Sequence, residues 1–259
     1  MSELKPMVTS KKEEPERRVF ENLVVLGNAV PDEISDNRKT VCTVAYSEKY
    51  GLIRIYPVPP VSPMKRWNVV TIPLERNPKD TRIESWKIQG SKSEWERISE
   101  KIKLTDTLKR PQWVELVEKL KKDFGHSCID DLNQKKLSLG MITPTIDDMR
   151  LQKRKEQEKS LQTTLFGGEP FITIQNYDVQ PRITYRCPTC VFQKPHDHQV
   201  LEWGVYEWLR HNSTDADARE KVWENLHIGE SGYDTSFLVG NMALHRSNFM
   251  IISVFRYKK

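Results

Sequence analysis

The chain has 259 residues, 37% hydrophobic and 30% charged, enough for one large or two small globular domains with a real core. It has no apolar run of about 18 residues, which excludes a membrane-spanning helix, and residues 1–18 lack the apolar stretch of a signal peptide, so we expect none. The net charge of +5 permits nucleic-acid binding without requiring it. Four cysteines, two of them in one CxxC motif, fit a reducing compartment and predict a cytoplasmic location.

The N-terminal third has the pattern of a β-rich unit. Residues 1–17 mix Lys, Glu and Pro without periodicity and predict a disordered tail. Short β-branched and apolar segments follow, and prolines or turn residues end most of them. Strands are predicted at 19–30, 40–46, 52–56, 67–74 and 84–88. Five short strands before residue 90 predict a small, strongly bent sheet or barrel.

A helical middle section follows the strands. Ser93 and Glu96 have the spacing of a capping box, and apolar residues recur at helical spacing behind them. A second helix is predicted between Pro111 in its first turn and Gly125 just past its end. A short helix from Ser127 and a strand at 137–143 complete the section.

Charge density then marks a domain boundary. Residues 147–160 contain few apolar side chains and five basic ones, and Gly167-Gly168 follows. We therefore expect a charged linker at 147–170 between a β-rich domain with helices, 18–146, and a C-terminal domain, 171–259. The two domains are expected to fold separately.

The C-terminal domain is predicted to be an α+β unit. It opens with two strands, continues with two helices and closes with two strongly apolar strands. The predicted ranges are 171–175, 182–186, 199–211, 215–226, 235–240 and 249–255. The fold class is therefore α+β, with a bent N-terminal sheet or barrel, a helical middle and a C-terminal zinc-knuckle unit.

The motif Cys187-Pro-Thr-Cys190 carries the clearest chemistry. Two thiols three positions apart can bind one zinc ion, and a histidine a few residues on can be a third ligand. His196 is the third candidate, and the fourth is His245, His198 or Cys128. His245, on the loop between the last two strands, is placed first, so the predicted Zn²⁺ ligands are Cys187, Cys190, His196 and His245.

Acid–base residues nearby allow a hydrolytic alternative. Glu202 and Glu207 follow the knuckle on a predicted helix, and Glu202 is the candidate general base of a metal-dependent hydrolase. The spacing of known zinc proteases and deaminases is absent, as are phosphate-binding glycine loops and GxSxG. The same two glutamates are equally explained as a solvated helix face.

Basic residues beside aromatic ones predict a nucleic-acid surface. Zinc knuckles bind nucleic acid with cationic side chains on phosphates and aromatic rings on bases. Scattered surface charge explains any single one of these residues as well. The predicted contact residues are Arg150, Lys153, Arg154, Lys155, Arg182, Arg186 and Arg246.

Three stretches resemble a widespread family of uncharacterised prokaryotic proteins. They are TVCTVAY with GLIRIYPVP, the CxxC with His196 and Glu202-Trp203, and FLVGNMALHRSNFMIISVF. In the family an acidic-Trp-acidic run follows the histidine, and Gly204 replaces the last acid here. The resemblance covers most of the chain and implies an accessory role in bacterial defence or mobile regions.

The leading hypothesis is a zinc-stabilised nucleic-acid-binding or adaptor protein, which binds nucleic acid or a partner protein. The alternatives are a metal-dependent nuclease or other phosphate-ester hydrolase, and a pure protein–protein scaffold. A closed four-ligand metal site favours a structural role, and an open position beside Glu202 favours catalysis.

Overall fold

The computed structural model describes residues 14–34, 37–125, 128–154, 173–190 and 194–259. Most of the predicted tail, at 1–13, and residues 155–170 of the predicted linker lie outside these ranges. The described part is mixed α+β, as predicted. None of its helices is long and apolar enough to cross a membrane.

Seven strands form the N-terminal sheet: β1 (Arg17–Asn28), β2 (Asp32–Glu33), β3 (Lys39–Ser47), β4 (Gly51–Val58), β5 (Asn68–Arg76), β6 (Ser85–Ile88) and β7 (Lys103–Thr107). Five of them pair in the order β1-β3-β4-β6-β5, and β5 returns to pair with β1. The β4–β6 pair is parallel, and the other pairs of this ring are antiparallel. This closed ring has the strand order of the OB-fold, a five-stranded Greek-key barrel.

Strand β1 reaches both of its neighbours because it bends. Its register with β5 shifts between Phe20 and Leu23, where Asn22 has a φ of 52°, and its register with β3 shifts between Val25 and Gly27. Such bulges bend a strand and increase its twist. Alternate apolar side chains then fill the barrel interior, as the sequence alternation predicts, among them Leu23, Val25, Ile53, Ile55, Val70, Ile72 and Leu74.

The rest of the chain consists of α1 (Arg110–Phe124), α2 (Ile129–Gln134), β8 (Leu139–Ile142), β9 (Thr145–Lys153), β10 (Val179–Arg186), β11 (His196–Gln199), α3 (Trp203–His211), α4 (Ala216–Glu220), α5 (Val222–Asn225), β12 (Tyr233–Asn241) and β13 (Phe249–Lys258). Two three-stranded antiparallel sheets form, in the orders β13-β12-β8 and β11-β10-β9. Helix α1 has Pro111 in its first turn and Gly125 just past its end, as predicted.

Several elements differ from the sequence expectation. Residues 92–101 form a 3-10 helix whose capping box uses Ser91 and Glu94. Residues 174–176 form a 3-10 turn where the end of a strand is predicted. Residues 196–199 form a strand, and the helix predicted at 199–211 begins at Trp203. The predicted helix at 215–226 is divided into α4 and α5.

The boundary between the two halves also lies elsewhere. Strand β8 pairs with β12, and β9 pairs along its whole length with β10. Residues 128–142 therefore belong with the C-terminal sheets, and the predicted linker begins as a strand. The sequence of β9 is too polar to indicate a strand because much of it remains exposed after pairing.

The two halves share a hydrophobic core. Val44, Tyr46 and Leu52, which point outward from the barrel on β3 and β4, pack against α1 and the sheet β13-β12-β8. Apolar residues on the facing elements complete this cluster, including Val117, Leu120, Met141, Leu238, Ile252 and Phe255. A core that spans both halves predicts cooperative unfolding, in contrast to the separate folding expected from the sequence.

Substitution of Gly27 tests the packing of the barrel against the C-terminal sheet, because a side chain at this position has no room. A Cβ at Gly27 on β1 would lie 2.6 Å from Ser253 Oγ and 2.7 Å from Ser253 Cβ on β13. We expect Gly27→Ala to lower the free energy of unfolding by about 1–3 kcal/mol, as overpacked cores do. Chemical denaturation followed by circular dichroism measures this change.

The matched control is Gly204→Ala in α3, where the nearest atom to a new Cβ is Glu202 Oε1 at 3.6 Å. Alanine is the better helix former, so this variant should be unchanged or more stable by up to about 1 kcal/mol. Equal effects of the two substitutions would contradict a tightly packed interface at Gly27.

Candidate metal centre

The CxxC motif lies directly after strand β10. The turn is closed by the Cys190 N–H, which donates to the Cys187 carbonyl at 3.1 Å. Strand β11 runs antiparallel to β10 and places His196 opposite Tyr185, two residues before Cys187. The strand pairing thus brings His196 close to the two cysteines of the motif.

A third cysteine arrives from a distant part of the sequence. Cys128 is the N-cap residue of α2, and its backbone N–H is bound by the Asp131 carboxylate at 3.1 Å. Its Sγ lies 3.5 Å from His196 Nε2, and Cys190 Sγ lies 3.4 Å from the same nitrogen. The ligand atoms of Cys128, Cys187 and His196 all lie within 4.8 Å of one another.

These distances fit a tetrahedral metal site. Zinc binds thiolate sulfur at about 2.3 Å and imidazole nitrogen at about 2.0–2.1 Å, which separates a sulfur and a nitrogen ligand by roughly 3.6 Å. The two measured sulfur–nitrogen distances, 3.4 and 3.5 Å, are close to this value. The cluster of Cys128, Cys187 and His196 could therefore hold a metal ion, and Cys190 offers a fourth ligand.

Burial sets the protonation of these ligands. It raises the pKa of Cys187 to about 12 and raises the pKa of Cys128, and the neighbouring thiol adds to the effect at Cys187. Burial also lowers the pKa of His196, so its ring is neutral at pH 7, as a metal ligand must be. Closely spaced buried thiolates repel one another, and a divalent cation removes that repulsion.

Backbone amides support the sulfurs. The N–H of Ile129 donates toward the Cys187 thiol and the N–H of Asp130 toward the Cys128 thiol, and both contacts favour the thiolate form. The start of α2 therefore contributes one ligand and two oriented donors. Sequence reasoning noticed Cys128 only as one of three options, because 59 residues separate it from Cys187.

The other two histidine candidates lie outside the cluster. His245 is exposed on the loop between β12 and β13 and is not part of the cluster. Cys128 occupies the ligand position that the sequence analysis assigns to His245. His198 is bound through Nδ1 to the Tyr185 hydroxyl at 3.0 Å. Burial and the neighbouring His196 lower the pKa of His198 to about 4, so it is a neutral neighbour of the site.

Glu202 is part of an ion-pair cluster between the halves. Its Oε1 accepts from Arg66 at 3.1 Å and from Arg256 at 3.3 Å, and its Oε2 accepts from the backbone N–H of Val254. Arg66 precedes β5 and Arg256 is on β13, so the carboxylate joins the barrel to the C-terminal sheet. Glu207 accepts from Trp203 Nε1 and pairs with Arg210.

The predicted basic residues are only partly brought together. Arg150 and Arg182 lie opposite each other on the outer face of the sheet β11-β10-β9, and both bind Asp197, at 2.5 and 3.0 Å. Arg186, on the same strand as Arg182, pairs with Asp147 at 3.3 Å. We call this surface the Asp197 face and define it by Arg150, Arg182, Arg186, Asp147 and Asp197.

The remaining basic candidates lie elsewhere. Lys153 and Arg154 stand at the end of β9, and Lys155 lies outside the described residues. Arg246, on the β12–β13 loop, binds Thr81 Oγ1 at 2.6 Å and the Ala243 carbonyl at 3.2 Å. It holds that loop against the segment between β5 and β6 and is not on the Asp197 face. Sequence spacing alone cannot reveal the aspartate partners, which come from neighbouring strands.

Cys128 and His245 provide a direct test of the ligand set. We expect about one metal ion per chain in the wild-type protein, and loss of most of it in Cys128→Ser, because a structural site needs all four ligands. His245→Ala should retain the metal. Elemental analysis of protein purified without chelators measures both. Retention by Cys128→Ser together with loss in His245→Ala would reverse the assignment.

Glu202 gives a second test. We expect Glu202→Gln to lower the free energy of unfolding by about 2–4 kcal/mol, because it leaves Arg66 and Arg256 without a counter-charge in a buried place. Glu207→Gln, whose carboxylate is about a third exposed, should cost less than about 1 kcal/mol. Urea denaturation compares the two, and equal stabilities would contradict a structural role for Glu202.

Two family models match the chain. Residues 20–121, which include the barrel ring, match the model described as "Domain of unknown function (DUF8758)". A search of curated proteins found no match. Residues 126–259, more than half of the chain, match "Domain of unknown function (DUF8757)", and this range contains Cys128, Cys187, Cys190 and His196. The chain therefore belongs to the DUF8757 family of domains of unknown function.

Proposed function

We propose that this chain is a zinc-stabilised binding protein whose metal ion has a structural role. The observation that carries the proposal is the meeting of Cys128, Cys187, Cys190 and His196 from three separate segments. Three thiolates and one imidazole are the donor set of structural zinc sites. Three free thiols are typical of a reducing compartment, so we propose the cytoplasm as the location of this protein.

The donor chemistry favours zinc over other metals. Thiolate-rich sites with tetrahedral spacing select zinc or an iron–sulfur cluster, whereas Mg²⁺ and Ca²⁺ prefer oxygen ligands. An iron–sulfur cluster held by four protein ligands normally needs cysteines that are spread around a larger inorganic core. Here Nε2 of His196 is within 3.5 Å of two sulfurs, which fits a single ion.

A binding role is better supported than hydrolysis. Four protein ligands would fill the coordination sphere of zinc, and a catalytic site keeps one position for water or substrate. Glu202, the candidate general base, is already engaged by Arg66, Arg256 and the Val254 N–H. A metal-dependent nuclease therefore remains the second candidate.

Nucleic acid is the partner that we propose, through the Asp197 face. Three arginines lie on one exposed sheet surface, and their ion pairs with aspartates are largely solvated, worth about 0–1 kcal/mol each. Such weak pairs can exchange for phosphate contacts. An accessory role in a prokaryotic defence system is the setting that the sequence resemblance favours.

Asp197 makes this partner testable. We expect Asp197→Asn to tighten binding to single-stranded DNA or RNA by about three- to tenfold at low salt, because it removes the carboxylate that Arg150 and Arg182 share and a negative charge that repels the phosphates. Arg150→Ala with Arg182→Ala should weaken binding and lower the slope of log affinity against log salt by about one to two units. Fluorescence anisotropy with labelled oligonucleotides measures both.

The matched control is Glu48→Gln, which makes the same charge change at the turn between β3 and β4. Glu48 is 76% exposed and pairs with Lys119, so it resembles Asp197 as a surface ion-pair member. Glu48→Gln should change the affinity for nucleic acid by less than about twofold if the net charge of the protein does not determine that affinity. Equal gains in both variants, or no binding by the wild-type protein at low salt, would refute the Asp197 face as a nucleic-acid site.

A further inference from the structure

A cavity of about 340 Å³ lies where the barrel meets the C-terminal sheet. On the barrel side it is lined by Cys42 on β3 and by Arg54 and Tyr56 on β4. The end of β12 and the loop after it, including Asn241 and Met242, line the other side. OB-folds bind ligands on their second and third strands and the adjoining loops, and β3 and β4 are those strands here.

Arg54 is a buried cation that makes no ion pair with the described residues. Only 4% of the residue is exposed. Its Nη2 donates to the Ser138 carbonyl at 2.9 Å and its Nη1 reaches Cys42 Sγ at 3.8 Å, while its buried Nε has no hydrogen-bond partner among the described residues. Arginine stays protonated in proteins, so the positive charge remains in the cavity wall.

The neighbouring charges do not neutralise Arg54. Arg82 also lines the cavity, but it is paired with Asp80 at 2.5 Å and donates to the Asn241 carbonyl at 2.7 Å. Glu84 is near enough to attract Arg54 but makes no ion pair with it. Within the part of the chain that the structure describes, no carboxylate lies within 4.0 Å of the Arg54 guanidinium.

We propose that this cavity binds a small organic acid, with its carboxylate at Arg54 and its apolar part against the loop after β12. A buried charge is costly unless it is paired, and a ligand carboxylate would supply the missing partner. The apolar part would contact Met242, Met250 and Ile252, which also line the cavity. Leu244, which is 89% exposed, stands on the same loop at the cavity's edge.

Charge and size together favour a carboxylate. Asp32 also lines the cavity, but its Oδ1 accepts from the Gln175 amide and the Glu33 N–H. Arg54 therefore matches one negative charge, whereas a phosphate dianion would bring a second charge while Arg82 is already paired. The segment from Asn241 to Leu244 lies over the strands that a polymer would use and leaves room for a small molecule.

The direct test uses the full-length protein with simple probes. Hexanoate, octanoate and benzoate are titrated by calorimetry and by ligand-detected NMR, up to about 10 mM so that weak binding is seen. Hexanol is the control without charge and inorganic phosphate is the control for other anions. We expect at least one carboxylate to bind, hexanol to bind at least about tenfold more weakly than hexanoate, and phosphate not to bind.

Substitutions locate the site. Arg54→Met should abolish carboxylate binding, with folding checked by circular dichroism. Met242 is 40% exposed, so a polar residue there is compatible with folding. If Arg54→Met does not fold, the comparison of Met242→Glu with Met242→Gln tests the site instead. The Glu variant should bind hexanoate about tenfold more weakly than the Gln variant, because it places a like charge in the cavity wall.

The proposal is overturned if none of the three carboxylates binds, if hexanol binds as tightly as hexanoate, or if phosphate binds more tightly than the carboxylates. Equal hexanoate affinity in the two Met242 variants would also overturn it. These outcomes are independent of the metal centre and of the Asp197 face, since neither Cys128 nor Asp197 lines this cavity.

Discussion

The packing of the barrel against the sheet β13-β12-β8 determines which surfaces remain for binding. The outward side chains of β3 and β4 are buried in that interface, and Gly27 lets β1 approach Ser253 closely. The surface that an OB barrel usually offers to a strand of nucleic acid is therefore largely used within the chain. Among the described residues, a small cavity at Arg54 and the outer face of the other C-terminal sheet stay open after this packing.

The cysteine–histidine cluster lies at a different junction. Cys128 stands before β8, and Cys187, Cys190 and His196 stand at the end of β10 and the start of β11. A metal ion there would link Cys128 to Cys187, which lies 59 positions later in the sequence. Cross-links that close long segments remove much conformational freedom from the unfolded chain. A metal ion in this cluster would therefore couple α2 and β8, next to the barrel, to the sheet that carries the Asp197 face.

Local patterns predict much of this structure. Alternating apolar residues indicate the barrel strands, Pro111 and Gly125 bracket α1, and the CxxC motif with His196 identifies most of the cysteine–histidine cluster. The failures share one cause, which is contact between distant segments. The choice of Cys128 over His245 depends on where α2 docks, and β9 is a strand because β10 pairs with it.

The burial of Arg54 is a further feature that local sequence patterns cannot predict, because it depends on contact between distant segments. It alternates with Ile53 and Ile55 on β4, so the strand pattern places it outward on a surface exposed to water. The C-terminal sheet covers that surface and buries it, and Gly240 on β12 leaves the space, since a Cβ there would lie 2.8 Å from Arg54 Nη2. No property of residues 51–58 alone could indicate this burial.

The two buried charge clusters at this interface differ in a way that matters for function. Glu202 is matched by Arg66, by Arg256 and by a backbone N–H, so its charge is fully compensated within the chain. Arg54, in the same junction between barrel and sheet, has only neutral acceptors. Since an unpaired buried charge opposes folding, its presence beside a cavity is better explained by a partner that is not part of the chain. Glu202 thus contributes to holding the halves together, and Arg54 keeps a charge without an ion pair in the wall of a cavity that is large enough for a small ligand.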